Sequence, residues 1–379
     1  MRQDLHPARP HALPAHAIEA VKELVDRDAI PGASIAISTA GGSTFAGAFG
    51  HRDLATGAPA TPETSYLWFS LTKVVTATGV RMLTDEGLLG LDDPVADHVP
   101  SLRRLRPAPT VRQLLDHTAG FSNPIPIRWV RADAAPDSPT EDLLARLLAK
   151  HGRPKHPVGG PVHYSNLGYL ILGSVIEAVA DQPFPDYVRR AILQPLGMDR
   201  TDFIHTRPEL AATGYVKAPR LAEPILRAVL PDGIVGPRIQ GRLTLNPFTV
   251  LGPSYGGLVG PATDAIRFAA MHLNDGELDG VRILEPETAV EMRRISARGR
   301  KRDVAHGWFT SAKHRGAPHP YLEHLGAGGG FYNAMRIYPD GGIGIVLMTN
   351  TTNAYDHHQL FSQLHDIWTH STRTGPGAT

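Results

Sequence analysis

The chain of 379 residues contains no cysteine. That excludes disulfides, thiolate nucleophiles and Cys-bound zinc, and it leaves the redox compartment open. No apolar run approaches the length of a membrane span. Met1 to His16 is rich in Pro, His and Ala and lacks the apolar stretch of a secretory signal, so the expected location is the cytoplasm. Neither sign of charge is in excess: 38 Lys and Arg stand against 37 Asp and Glu, for a net +1. A balanced surface carries no electrostatic footprint for nucleic acid. There is no internal repeat. What remains is a globular chain, 42% hydrophobic, long enough for one large domain or two of ordinary size.

Strand patterns sit at the two ends and helical patterns in the middle. Residues 1–14 read as a loose arm, and Ala17–Arg27 carries a helical period through Ile18, Val21 and Val25. Ala33–Thr39 and Ser43–Gly50 read as a hairpin turning at Gly41-Gly42. Helices are expected over Thr110–Asp116, with Thr110 as N-cap, and over Thr140–Lys150, Ser165–Ala180, Pro185–Leu193, Ala262–Leu273 and Pro286–Ile295. Thr206–Leu251, rich in Pro and Gly, reads as extended loop. His306–Thr310, Tyr321–Leu325, Phe331–Tyr338 and Ile343–Thr349 read as strands, with a turn at Pro339-Asp340-Gly341-Gly342, before a last helix over Tyr355–Trp368. The expected fold class is α/β (α+β): one antiparallel sheet flanked by the terminal helices, with a mostly helical insert. The expected boundaries are 1–80 and 255–379 for the sheet domain and 81–254 for the insert, with a site in the cleft between them.

One stretch carries chemistry. Phe69-Ser70-Leu71-Thr72-Lys73 holds the only S-x-x-K of the chain. On a helix, Ser70 and Lys73 share a face. The residues that follow (Val74, Val75, Ala77, Val80, Met82 and Leu83) make the helix apolar on most sides, which predicts burial. Burial disfavours an ammonium, and a neutral Lys73 can take the hydroxyl proton of Ser70. Taken alone the pattern fits a capping serine and a solvated lysine as well. Two further stretches supply companions. Tyr164-Ser165-Asn166 is the only Y-x-N and precedes a helix, so a turn can project a phenol and a carboxamide together. A helix cap with a packed tyrosine gives the same residues. His324-Leu325-Gly326 ends a strand and opens into Ala327-Gly328-Gly329-Gly330, where glycine admits close approach of a substrate. His314-Arg315-Gly316 and Arg373-Thr374-Gly375 have similar form, but only His324 ends a strand ahead of the final strand pair.

Together these stretches resemble the serine β-lactamase and penicillin-binding-protein-like family, in particular its class C-like branch of family VIII-type esterases, D-aminopeptidases and transacylases. The resemblance runs from about Ile18 to about His370. It includes Gly90-Leu91-Asp92-Asp93-Pro94-Val95, Leu114-Leu115-Asp116-His117-Thr118-Ala119-Gly120-Phe121, Pro195-Leu196-Gly197-Met198 and Gly256-Gly257-Leu258 followed by Asp264. It implies an acylated Ser70, with Lys73 and Tyr164 sharing general-base and general-acid work. It implies that Asn166 contacts substrate and Lys73, that His324 and Gly326 border the substrate, and that the backbone N–H groups of Ser70 and Ala327 form the oxyanion hole. Where β-lactamases carry K-T-G this chain has His324-Leu325-Gly326, which weakens the case for binding a β-lactam carboxylate. The expected activity is a carboxylesterase on small esters through a covalent acyl-enzyme, with possible weak β-lactamase activity. The alternatives are an acyltransferase, a D-amino-acid peptidase or amidase, and a non-catalytic acyl sensor or scaffold. The expected partner is a small-molecule acyl substrate, with no cofactor, metal, nucleic acid or membrane; no pattern sets the oligomeric state.

Two rival readings stand beside this one. Gly252-Pro253-Ser254-Tyr255-Gly256 matches the G-x-S-x-G nucleophile elbow, but its glycines and Pro261 argue against the helix that must follow. His357, His358, His365 and His370 on or near the last helix raise metal binding, but a polar helix surface explains them better.

Overall fold

Gly32–Thr39 alternates large and small residues, as a strand with two covered faces requires. In the computed structural model it lies inside a ten-stranded sheet. The structure describes residues 11–12, 15–27, 29–40, 42, 44–106, 108–124, 126–133, 141–352 and 355–373. The sheet strands are β1 (His11–Ala12), β2 (Gly32–Thr39), β3 (Thr44–Asp53), β4 (Ala58–Pro59), β5 (Ala297–Arg298), β6 (Arg302–Val304), β7 (Phe309–Ser311), β8 (Leu322–Gly328), β9 (Phe331–Tyr338) and β10 (Ile343–Thr349). Their order is β1-β3-β2-β10-β9-β8-β7-β6-β5, with β4 paired to β3. β1 runs parallel to β3, and the other pairs are antiparallel. The two ends of the chain meet where β2 pairs with β10, from Ala33 opposite Thr349 to Thr39 opposite Ile343.

The period of two sorts these strands between two cores. Ile35, Ile37, Ile345 and Leu347 pack with Val21 of helix α1 (Ala15–Asp26) and with Phe361 and Leu364 of the last helix, His357–Arg373. Ala36, Val346 and Met348 join the other core, with helix Ala262–Leu273 and with α2 (Thr72–Asp85). α2 is buried along Thr72–Arg81, as its apolar sequence predicts. It packs on α3 (Asn166–Ala180), which Ser165 caps by accepting the Gly168 N–H. Thr110 caps its own short helix in a reciprocal box with Gln113.

The expected sheet with flanking helices is the observed fold, with differences in detail. Thr206–Leu251 is not structureless: Gly214–Val216, Arg242–Leu245 and Val235–Ile239 form a three-stranded sheet, and Glu223–Val229 is a helix. Strands this short leave no period to read, and Pro237 sits where the register shifts. The helix expected over Pro185–Leu193 is α-helical over Phe184–Val188 and π-helical over Arg189–Leu193. The strand expected over His306–Thr310 occupies Phe309–Ser311, because Gly307 turns at φ 81°. A Cβ there would lie 2.8 Å from the Ala77 Cβ, so the turn rests directly on α2. Helix Pro286–Met292 stops short of Ile295. In the arm, His11–Ala12 joins the sheet edge, and residues 1–10, 13 and 14 lie outside the described residues. So do Gly41, Ser43, Thr140 and the Thr374-Gly375 part of the expected tail motif. No helix among the described residues is long and apolar enough to cross a membrane.

Candidate active site

Ser70 sits in a 3-10 turn, Phe69–Leu71, that runs into α2. Phe69 just before it has φ 47°, left-handed backbone that an aromatic residue seldom adopts. Such strain costs about 1–3 kcal/mol and persists only where the surroundings enforce it. Here the ring is held against Phe248 and Phe331, with centroids 6.3 Å away in both cases. β8 presses on the same turn. A Cβ at Gly326 would lie 2.0 Å from the Trp68 carbonyl oxygen, so only glycine lets the strand approach. Ala327 follows on the exposed side.

Lys73 lies one turn into the helix, fully buried. Its Nζ donates to Ser70 Oγ at 3.0 Å and to the Tyr255 carbonyl at 2.6 Å. The rings of Tyr164, Tyr169 and Tyr255 surround it, with centroids 5.1, 5.6 and 5.2 Å away. Ring faces favour an ammonium by about 0.5–2 kcal/mol. Burying an ion costs several kcal/mol, and among the described residues no carboxylate offsets that. Burial therefore wins, and the nearby Arg302 charge adds to it: the Lys73 pKa falls well below the usual lysine range.

Tyr164 comes from the turn ahead of α3, half-buried, with its ring against the lysine. Its hydroxyl hydrogen-bonds Ser70 and lies 3.2 Å from His324 Nε2. His324 Nδ1 is 2.6 Å from the Gly307 carbonyl oxygen, so that nitrogen carries the proton and donates. Nε2 is then the acceptor for the Tyr164 O–H. Burial, with the Lys73 charge behind it, holds the His324 pKa down to about 3, so the ring is neutral. Burial pushes Tyr164 up to about 12, only partly offset by the Ser70 hydrogen bond, so the phenol keeps its proton. A continuous line runs from Lys73 through Ser70 and Tyr164 to His324 and the Gly307 carbonyl.

Asn166 opens α3, and its N–H donates to Asn123 Oδ1 at 3.0 Å. Its expected contact with Lys73 is not made; the lysine's hydrogen bonds go to Ser70 and Tyr255 instead. The Asn166 Oδ1 is buried with no hydrogen-bond partner among the described residues, an acceptor left open at the start of α3.

Two residues given no role above belong to the same cluster. His117 has φ 57°, accepts the Ser165 N–H on Nδ1 at 3.2 Å, and places its ring 4.5 Å from that of Tyr164. Burial, then the Lys73 charge, holds its pKa well below the ordinary histidine range. Arg302 on β6 lies over the Tyr164 ring at 5.1 Å and over Phe309 at 4.6 Å. It puts a cation near the place left by the absent K-T-G lysine. His117 stood inside the Leu114–Phe121 run; Arg302 gave no signal in the sequence.

The rivals fall elsewhere. His314 is in a surface turn. Ser254 lies in a four-residue helix, with a Cβ at Gly173 falling 2.3 Å from its Oγ. Its carbonyl accepts the Thr76 hydroxyl at 2.6 Å, and among the described residues no histidine or carboxylate bonds its Oγ, as an elbow nucleophile needs. Glu323, His357 and His358 bring ligand atoms within 4.8 Å of one another. Arg336 already fills that cation position, donating to Glu323 at 2.7 Å and to His358 Nδ1 at 3.1 Å.

A family profile described as Beta-lactamase matches residues 17–364. Penicillin-binding protein 4 of Amycolatopsis lactamdurans is 30% identical over 355 residues, covering 89% of this chain and 85% of that protein. The solved structure of D-amino acid amidase from Ochrobactrum anthropi superposes with a TM-score of 0.77 at 22% identity, over 96% of this chain and 100% of the other. That of EstCE1, described as a hydrolase with promiscuous acyltransferase activity, gives 0.74 at 22% identity, over 93% and 97%.

Proposed function

The chain belongs to the Beta-lactamase family and is a serine hydrolase, and from that premise we propose that it hydrolyses small carboxylic esters through an acyl-enzyme on Ser70. The carrying observation is a buried Lys73 without a carboxylate partner, 3.0 Å from Ser70 Oγ. Neutral Lys73 accepts the Ser70 proton while Oγ bonds to the ester carbonyl carbon. The backbone N–H groups of Ser70 and Ala327 receive the oxyanion. Tyr164, backed by neutral His324, passes a proton to the departing alkoxide. Water then attacks the acyl-enzyme by the reverse path, releasing acid and free Ser70. The open Asn166 Oδ1 and the Gly326 edge border the acyl group. A neutral histidine in place of the K-T-G lysine supports an uncharged ester over a β-lactam. On this reading the cleft lies between Ser70, Lys73 and His324 on the sheet side and Tyr164 and Asn166 on the insert.

The test is turnover of p-nitrophenyl butyrate and of a chromogenic cephalosporin by wild type and Ser70→Ala, with intact-mass spectrometry. Fast ester turnover, slow cephalosporin turnover and an adduct absent from Ser70→Ala support the reading. Undiminished turnover in Ser70→Ala overturns it. Stoichiometric acylation without release would make the chain an acyl sensor. Arg302 favours a second reading, D-amino-acid peptidase or transacylase, because a guanidinium over Tyr164, with no ion pair among the described residues, suits a substrate carboxylate. Higher kcat/KM on D-alanyl peptides than on the ester would select it.

A further inference from the structure

A second cavity, of about 1190 Å³, lies away from Ser70, Lys73, Tyr164 and His324. Its volume exceeds the roughly 300–1,000 Å³ of ordinary small-molecule pockets. The Pro253–Gly256 turn separates the two: Ser254 lines the cavity, whereas the Tyr255 carbonyl accepts from Lys73. α3 is shared in the same way. Leu170, Gly173, Ser174 and Glu177 fall on the one helix face that lines the cavity, while the Tyr169 ring faces Lys73.

The lining divides by chemistry. Leu105, Leu143, Leu170 and Phe184 are buried and give an apolar floor. Arg104, Arg106 and Arg153 stand at the exposed rim. Arg106 donates only to main-chain carbonyls, and among the described residues Arg104 and Arg153 have no ion pair. The one acidic residue of the lining, Glu177, accepts the Phe184 N–H at 3.0 Å. Gln182 also lines the cavity, and its Nε2 is buried with no acceptor. A long apolar wall, an excess of cations at the mouth and an unused N–H donor together complement one kind of molecule.

We propose that this cavity is a second ligand site, for an amphipathic anion with a long hydrocarbon chain and a carboxylate head. The chain lies along Leu105, Leu143, Leu170 and Phe184. The head meets Arg104 and Arg153, with the Gln182 amide donating to one of its oxygens. The site is independent of the ester reading of Ser70.

The probe is dodecanoate below its micellar concentration, titrated calorimetrically into wild-type protein whose Ser70 has been capped by an alkyl fluorophosphonate. The expected result is one site per chain, retained after capping. Affinity should fall at least tenfold for dodecanol and for the exposed-residue variant Arg104→Glu/Arg153→Glu. Ala149→Trp, which narrows the mouth without touching the catalytic cleft, should weaken it similarly while leaving ester turnover by uncapped protein unchanged. Three results overturn the proposal: no binding to the capped protein, equal binding of dodecanol, or binding of many equivalents that neither variant changes.

Discussion

Glu323 and His324 are neighbours on β8 and face opposite ways. Each enters a buried polar cluster with histidines and an arginine, but the clusters differ in charge balance. Behind the sheet, burial pushes the Glu323 carboxyl up, yet His357 and Arg336 outweigh it and its pKa falls to about 2. Arg336 holds it through two donors, at 3.0 and 2.7 Å. In front, Lys73, Arg302, His117 and His324 gather, and among the described residues no carboxylate hydrogen-bonds to any of them. The back cluster is neutralised and holds structure. The front cluster stays uncompensated, and the result is a lysine and two histidines with lowered pKa values beside a serine.

The contrast can be broken from either side. In front, Ser70→Ala and Lys73→Met should each lower kcat/KM for a p-nitrophenyl ester by about a thousandfold or more. Lys73→Met should leave the melting temperature unchanged or higher, because it removes a buried amine whose desolvation no carboxylate among the described residues offsets. A large fall in melting temperature would show that Lys73 is structural. Behind the sheet the signs reverse. Arg336→Met strands the Glu323 carboxylate and should destabilise by about 3–5 kcal/mol in urea unfolding, with kcat/KM of the folded fraction within about threefold. Tyr164→Phe should lower kcat about a hundredfold with little change in KM; an equal loss in KM would make it a binding residue.

Acid should sharpen the difference. His272 and His324 have folded pKa values near 3 against 6.5 when exposed, through burial. Between those limits the unfolded chain binds more protons, so stability falls as pH drops from 6.5 toward 3. Asp264, raised to about 6 from 3.8 by burial, acts in the opposite sense as pH rises between its two values. The histidines outweigh it, and melting temperature across pH 7 to 4 should decline. A rise on acidification would mean that these rings are not buried neutral. The smallest effect is expected at Arg302→Ala. A neutral ester should keep its rate within about threefold, while a substrate with a free carboxylate should lose about tenfold.

The serine, lysine and tyrosine were legible because each sits in a short local pattern at the start of a helix, where spacing alone sets direction. Strand alternation likewise announced β2, β9 and β10. The small sheet within 206–251 was not legible, since its strands pair across distance and are too short to carry a period. Arg302 was illegible for the same reason: nothing near it in the chain says that the pairing of β6 with β7 will set it beside Tyr164.

The sequence by itself determined the pairing of Ser70 with Lys73 one helical turn away and the glycine that lets β8 approach. Those depend on residue type and on contacts within a few positions. Only the tertiary structure decided that burial pushes the Lys73 pKa down, that His324 accepts rather than donates at Nε2, and that Asn166 keeps an open oxygen. Protonation follows from burial and from charges summed over distant neighbours: Tyr255 is 182 residues from Lys73 along the chain, yet it lies within hydrogen-bonding distance. Such sums exist only once the chain has folded.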